Sequence, residues 1–347
     1  MPPSESTLPA RTGRLFQLAL FFISAIWFRL SRMLAVHAGR GIAYRLGLFT
    51  LRPLLNTLFF LFLLVLGFSI LNAVSNSQPT SLRNILGLPK RPTARREWML
   101  GTAIGWGAGV LAVLPIALFG SLQFRFWTAP RAFELLLLNL AIIVLATLAN
   151  EILFRGFPFQ RLIEAVGPVA ATIIVSVWYG LLRTTNPYAT RASVLVTMIA
   201  GLLLAIAWLR THGLWLGWGL HAAWSCTMAL LFGLPLSGDP ELATVIQGHT
   251  FGPLALTGGD YGPEGAIFTI IALLIAIAVV VAVTRDYAWD YTHSPIVAAG
   301  YAVEAQPPAA HAAMEQRPAA PAPAAVSLVQ ILPATPQARS ASDEPKP

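Results

Sequence analysis

The stretch PLLNTLFFLFLLVLGFSILNAV, residues 53–74, contains no Asp, Glu, Lys or Arg. At 1.5 Å of rise per residue such a run reaches about 33 Å as a helix, which matches the roughly 30 Å hydrocarbon core of a bilayer. A backbone in lipid must satisfy its own hydrogen bonds, so the run reads as a transmembrane helix. Comparable apolar runs occupy 98–119, 132–149, 167–182, 192–209, 213–234 and 265–284. The sequence therefore predicts an all-α, polytopic transmembrane helical bundle of seven spans, or eight if the shorter run at 16–28 also crosses.

Composition agrees. Hydrophobic residues make up 56% of the 347 positions and charged residues 11%, against about 45–50% and about 25% in soluble domains. Too few charges remain to build a soluble surface. The net charge of +8 raises the question of nucleic acid, but most of the 23 Lys and Arg fall in short links between apolar runs. That placement suits membrane orientation and anionic headgroups, so membrane lipid is an expected partner and nucleic acid is not. The single cysteine, Cys226, excludes an internal disulfide framework.

Four regions follow. Residues 1–52 form a basic N-terminal region. Its run 16–28 is followed by Arg29 and Arg32 rather than a small-residue cleavage site, and reads as an uncleaved anchor or interfacial segment. Residues 53–97 hold the first convincing span and a basic link, and 98–284 form the membrane core. Residues 285–347 turn to Pro and Ala, as in PPAAHAAMEQRPAAPAPAA (307–325), and read as a disordered tail.

Within the core, Gly101, Gly105 and Gly109 recur every four residues, a spacing that lets a neighbouring helix approach closely. FRGFPFQRLIEAV (154–166) is too short and polar to span and is broken by Pro158, which predicts a bend or interfacial helix. The link 235–264 carries Asp239, Glu241, Asp260 and Glu264 without Lys or Arg, which assigns it to the non-cytoplasmic side. Arg83, Lys90, Arg91, Arg95 and Arg96 then lie in the cytoplasm, and the basic stretch 29–52 is the exception to the rule.

A charge at the bilayer centre costs about 2.5–3.5 kcal/mol on insertion scales, so polar groups near spans need a reason. In NEILFRG (150–156), Glu151 and Arg155 share a helix face. They read either as site residues or as an interfacial ion pair with Arg155 reaching for headgroups. WYGLLR (178–183) reads either as a motif or as an aromatic belt ended by an interfacial Arg183. In GLWLGWGLHAAWS (213–225), His221 is about 12 Å into its run by helix rise, with Ser225 one turn on along the same face. An imidazole at that depth must face the bundle interior or a polar cavity. TGGDYGPEG (257–265) reads as a turn-rich loop whose Glu264 favours the dipole of the next helix.

Together these stretches resemble the CAAX protease and bacteriocin-processing family of intramembrane endopeptidases. That family's signature is two adjacent Glu followed by three residues and Arg, then Phe-x-x-x-His, then His-x-x-x-Asn or Asp, each on its own helix. Order, separation and neighbours match over residues 98–284, and the GGDYGPEG loop is similar to that of many bacterial members. The resemblance implies a multi-pass protein of the bacterial inner (plasma) membrane, with a peptide or protein segment as substrate. It makes Glu151, Arg155 and His221 surviving catalytic positions. Asn150, Arg183 and Ser225 are substituted ones, standing for the first Glu, the second-motif His and the final Asn or Asp, and Tyr179 stands for Phe.

In the family the first Glu and second-motif His activate the attacking water, while the later His and Asn stabilise the oxyanion. Asn150 has no such basicity and Arg183 stays protonated, so the resemblance implies loss of the water-activating half. Arg183 could still stabilise an anion, and Ser225 could donate to an oxyanion. Glu151 is a poor substitute base: adjacent helical residues differ by about 100° in direction, and Arg155 is there to occupy it. No HExxH pattern exists, and His37, His212, His249, His293 and His311 fall at link, loop or tail positions, so neither metal nor cofactor is expected.

The leading expectation is a catalytically impaired CAAX-protease-like membrane protein that keeps a peptide-binding cavity. An active endopeptidase using Glu151 as base and His221 as oxyanion partner is the first alternative. A non-enzymatic scaffold or transporter is the second. Whether Glu151 reaches a site that His221 also faces decides between the first two.

Overall fold

A computed structural model describes residues 11–75 and 81–285; the Pro/Ala-rich tail, His293 and His311 lie outside the described residues. Helix α1 (Arg11–Leu46) runs for 36 residues. The basic stretch expected to be a link after 16–28 is therefore mostly helix, and His37 is helical too. The reason is a stripe the composition hides. Gln17, Leu20, Ser24, Phe28, Ser31, Ala35, Gly39 and Ala43 are buried at three- and four-residue steps. That spacing seats one face of α1 on α2 (Arg52–Ser75) and on the helix Phe157–Val166, while Arg29, Arg32, Arg40 and Arg45 leave from other faces.

After the short α3 (Leu82–Ile85), α4 (Ala94–Phe119) leads into β1 (Ser121–Phe126). Helix α5 (Pro130–Arg155) follows and bends at Gly156 into α6 (Phe157–Val166), which has Pro158 in its first turn. Then come α7 (Pro168–Leu181), α8 (Arg191–Thr211) and α9 (Trp215–Cys226), the last continued by a π-helical turn, Thr227–Leu231. Strand β2 (Ile246–Phe251), a short α10 (Leu254–Thr257) and α11 (Thr269–Val283) complete the order. The bundle is helical, as its apolar runs require. Its departure from an all-α fold is one antiparallel ribbon pairing Ser121 with Phe251 and Phe126 with Ile246.

Among the described residues, five helical segments are long and apolar enough to cross a membrane: Gly13–Leu46, Phe49–Ser75, Ala94–Phe119, Pro130–Val166 and Arg191–Thr211. The expected spans 167–182, 213–234 and 265–284 yield shorter helices of 14, 12 and 15 residues. Fourteen residues of helix rise only about 21 Å, short of the hydrocarbon thickness. Gly167 and His212, both at positive φ, precede α7 and α9, and beyond these helices the chain passes into a 3-10 turn, Leu182–Thr185, and the π turn.

Segment 154–166 takes the expected bend, at Gly156 with Pro158 in the first turn of α6, and α6 packs against α1. Arg161 donates to Gln17 of α1 at 3.3 Å and to Glu164 at 3.1 Å.

The glycine series does what its spacing demands. A methyl group at Gly101 would sit 2.1 Å from the Leu216 carbonyl oxygen, and one at Gly105 would sit 2.1 Å from that of Leu220. Gly219 answers from α9, where a methyl would lie 2.2 Å from the Trp98 carbonyl oxygen. Glycines on both helices bring the two backbones into contact and fix the helix that carries His221.

Candidate functional site

Helix α5 presents adjacent residues in different directions. Asn150 lines two cavities, whereas Glu151 turns inward and is fully buried. One helical turn on, the Arg155 guanidinium lies 3.3 Å from Glu151 Oε1 and also donates to the Gly201 carbonyl of α8 at 3.1 Å. Arg155 is itself 0% exposed. It therefore does not reach for headgroups, because α8 closes over it.

The closer partner of Glu151 comes from α9. His221 Nδ1 lies 2.7 Å from Glu151 Oε1. With Nδ1–H donated to the carboxylate, a neutral ring keeps its lone pair on Nε2, which faces the Tyr179 hydroxyl at 3.5 Å. Tyr179 also accepts from Arg183 Nη2 at 3.3 Å. Its ring lies between two guanidinium groups, with Cζ of Arg155 at 4.8 Å and Cζ of Arg183 at 5.4 Å from the centroid. The Phe expected at this position in the family would lack the hydroxyl that joins His221 to Arg183.

The segment around Trp178 is not an aromatic belt. Trp178 packs edge-on against Phe154 of α5 and against Phe21 and Phe28 of α1. Arg183 follows α7 in a 3-10 turn, Leu182–Thr185. Burial by itself would lower its pKa. Tyr179, Glu264 and Tyr261 outweigh burial and leave the pKa above the ordinary guanidinium value, so Arg183 stays a cation.

Asn150, Arg183, His221 and Ser225 line one cavity of about 680 Å³, which the loop from Leu236 to Leu242 also lines. Glu264 reaches the same cavity. It does not cap α11, whose first turn has no acidic residue. Its Oε1 accepts from Trp224 Nε1 at 2.9 Å and its Oε2 from Ser237 Oγ at 2.5 Å. A smaller cavity of about 290 Å³ shares Arg32, Asn150, Arg183 and Asn186 with the larger one.

Two of these lining residues, Arg32 and Asn186, carried no site signal in the sequence. The stripe on α1 could have found Arg32, which neighbours the buried Ser31. Asn186 sits in a loop where nothing periodic points to it; its side-chain amide donates to the Ser237 carbonyl at 3.1 Å. Among the described residues no group of three or more His, Cys, Asp or Glu could hold a metal ion.

Comparison with known families agrees with the resemblance over the central third of the chain. A family model described as Rce1-like, the type II CAAX prenyl endopeptidases, matches residues 131–227. The matched stretch contains every motif position from Asn150 to Ser225 and leaves α1, α2, α4 and α11 outside it. No curated protein and no solved structure matches the chain.

Proposed function

We propose, with the Rce1-like match over residues 131–227 as premise, that this multi-pass membrane protein is a CAAX-protease-like binder of peptide or protein segments whose hydrolytic power is impaired. One observation carries the proposal: Asn150 and Arg183, which stand where the resemblance puts proton acceptors, line the same cavity as His221 and Ser225. An amide and a permanent cation can hold a peptide carbonyl or carboxylate but cannot take a proton from water. A donor remains on the oxyanion side in Ser225, whereas the Nδ1–H of His221 is held by Glu151. The bilayer we have in mind is a bacterial inner membrane.

Glu151 is a poor replacement base because it is sealed behind His221 and Arg155, so the cavity holds no carboxylate at that point of the wall. A second activity is favoured by the 2.7 Å contact itself: Glu151 orients His221, and His221 then acts as the base through Nε2. A space of about 40 Å³ bounded by Tyr179, Arg183, His221 and Glu264 would admit about one water there.

Reconstituted full-length protein separates the two. Incubation with a peptide library in proteoliposomes is expected to give retention without new termini. Cleavage abolished by His221→Ala and unchanged in Asn150→Ala would overturn the impaired assignment and favour the dyad.

A further inference from the structure

We propose that the smaller cavity is a binding site for a phosphate-class oxyanion, with Arg32 and Arg183 as its two cationic walls. Among the described residues these are the only charged side chains that line it. The two like charges repel one another across the space. Among the described residues neither forms an ion pair; the pairs that exist join Arg91 to Glu97, Arg131 to Glu134, Arg155 and His221 to Glu151, and Arg161 to Glu164. The carboxylate that acts on Arg183, Glu264, has both oxygens engaged by Trp224 and Ser237. Two guanidinium groups converge on a partly enclosed space that no acidic side chain lines among the described residues; Asp239, Glu241 and Glu264 line the adjoining larger cavity instead. Such an arrangement is stabilised by an anion from outside.

The chemistry selects the class. Each guanidinium offers a planar fork that fits two phosphate oxygens at once, and the Asn150 and Asn186 amides add donors on the shared wall. A volume of about 290 Å³ equals about ten water molecules at roughly 30 Å³ each. That holds a phosphate and a few attached carbons. Phe28 and Phe60 supply an apolar wall for those carbons. The phosphate could belong to a membrane lipid headgroup or to a soluble phosphate, and the two sources separate by experiment.

The inference shares a cavity wall with the proposed peptide-binding function and rests on that wall being open to a ligand. It does not depend on the loss of hydrolysis. Protein that binds the anion yet cleaves peptides would sink the earlier proposal and leave this one standing.

The test is thermal unfolding of the full-length protein in neutral detergent. Titrants are inorganic phosphate, phosphatidylglycerol, diacylglycerol with the same chains, and sodium chloride at matched ionic strength. Saturable stabilisation by phosphatidylglycerol alone assigns the lipid source, and an equal response to inorganic phosphate assigns the soluble one. Arg32→Gln and Arg183→Gln should each weaken apparent affinity by about tenfold or more. Arg131→Gln, which breaks an exposed pair with Glu134 away from both cavities, should leave it unchanged. An equal response to chloride or diacylglycerol overturns the proposal, as does unchanged affinity in both cavity variants. Should those variants fail to fold, Asn186→Asp puts a carboxylate on the rim. Loss of binding in the folded Asn186→Asp protein supports the site, and retained affinity overturns it.

Discussion

Two groups of charge meet at Tyr179, and they are built in opposite ways. Behind its ring, Glu151 holds Arg155 and His221 within 3.3 Å and 2.7 Å, and neither Glu151 nor Arg155 is exposed. In front of it, Arg183 faces Arg32 across a cavity with no carboxylate between them. The first group neutralises itself and needs nothing from outside, so its work is to hold α5, α8 and α9 in register. The second is left open as folded, which is why we propose a ligand there. On the proposed reading, the Rce1-like stretch keeps an internal brace and differs at the positions proposed to meet substrate.

The largest expected effect strikes the closed group. Glu151→Gln leaves the buried Arg155 charge uncompensated and should destabilise the protein by about 3–5 kcal/mol, read as a fall in the unfolding midpoint in detergent. A loss under about 1 kcal/mol would mean that Arg155 finds water and that the group is not closed.

Next comes the seam that fixes α9. Gly219→Ala drives a methyl to 2.2 Å from the Trp98 carbonyl oxygen and should cost about 1–3 kcal/mol by overpacking. Gly217→Ala, two residues away, meets Glu151 Oε2 at an ordinary 3.5 Å and should be neutral or stabilising by up to about 1 kcal/mol through helix propensity. Equal losses at both positions, in the same unfolding assay, would show that the seam is not what positions His221.

Tyr179→Phe removes the hydroxyl that links the two groups and should cost about 1 kcal/mol. It should also free the His221 ring to turn, seen as changed chemical shifts of labelled histidine. Arg32→Gln is expected to have the smallest effect without ligand, within about 0.5 kcal/mol. A large loss there would mean that Arg32 braces the fold as Arg155 does.

The membrane bundle was legible because lipid imposes one rule on every span. Helix length was less so. Hydropathy anticipated the break at His212, between the runs 192–209 and 213–234, but it counts apolar residues and is blind to the π turn after Cys226. The identity of α1 was hidden for a related reason: its arginines suggested a link, while the three- and four-residue stripe that buries it was spread across small and polar residues.

At the site, the motif positions were legible by their spacing, and so was the divergence of Asn150 from Glu151. The position of Glu264 was not, because its partners Trp224 and Ser237 lie 40 and 27 residues away in sequence. A buried Arg155 was missed as well, since an i,i+4 pair looks the same in sequence whether or not another helix covers it.

Reversing both substitutions together tests the central claim most directly. Wild type and the Asn150→Glu, Arg183→His double variant, in the same proteoliposomes and with the same peptide library, should differ in kind. The double variant should generate new peptide termini where the wild type generates none. Wild-type protein that hydrolyses the library as fast as the double variant would contradict the account.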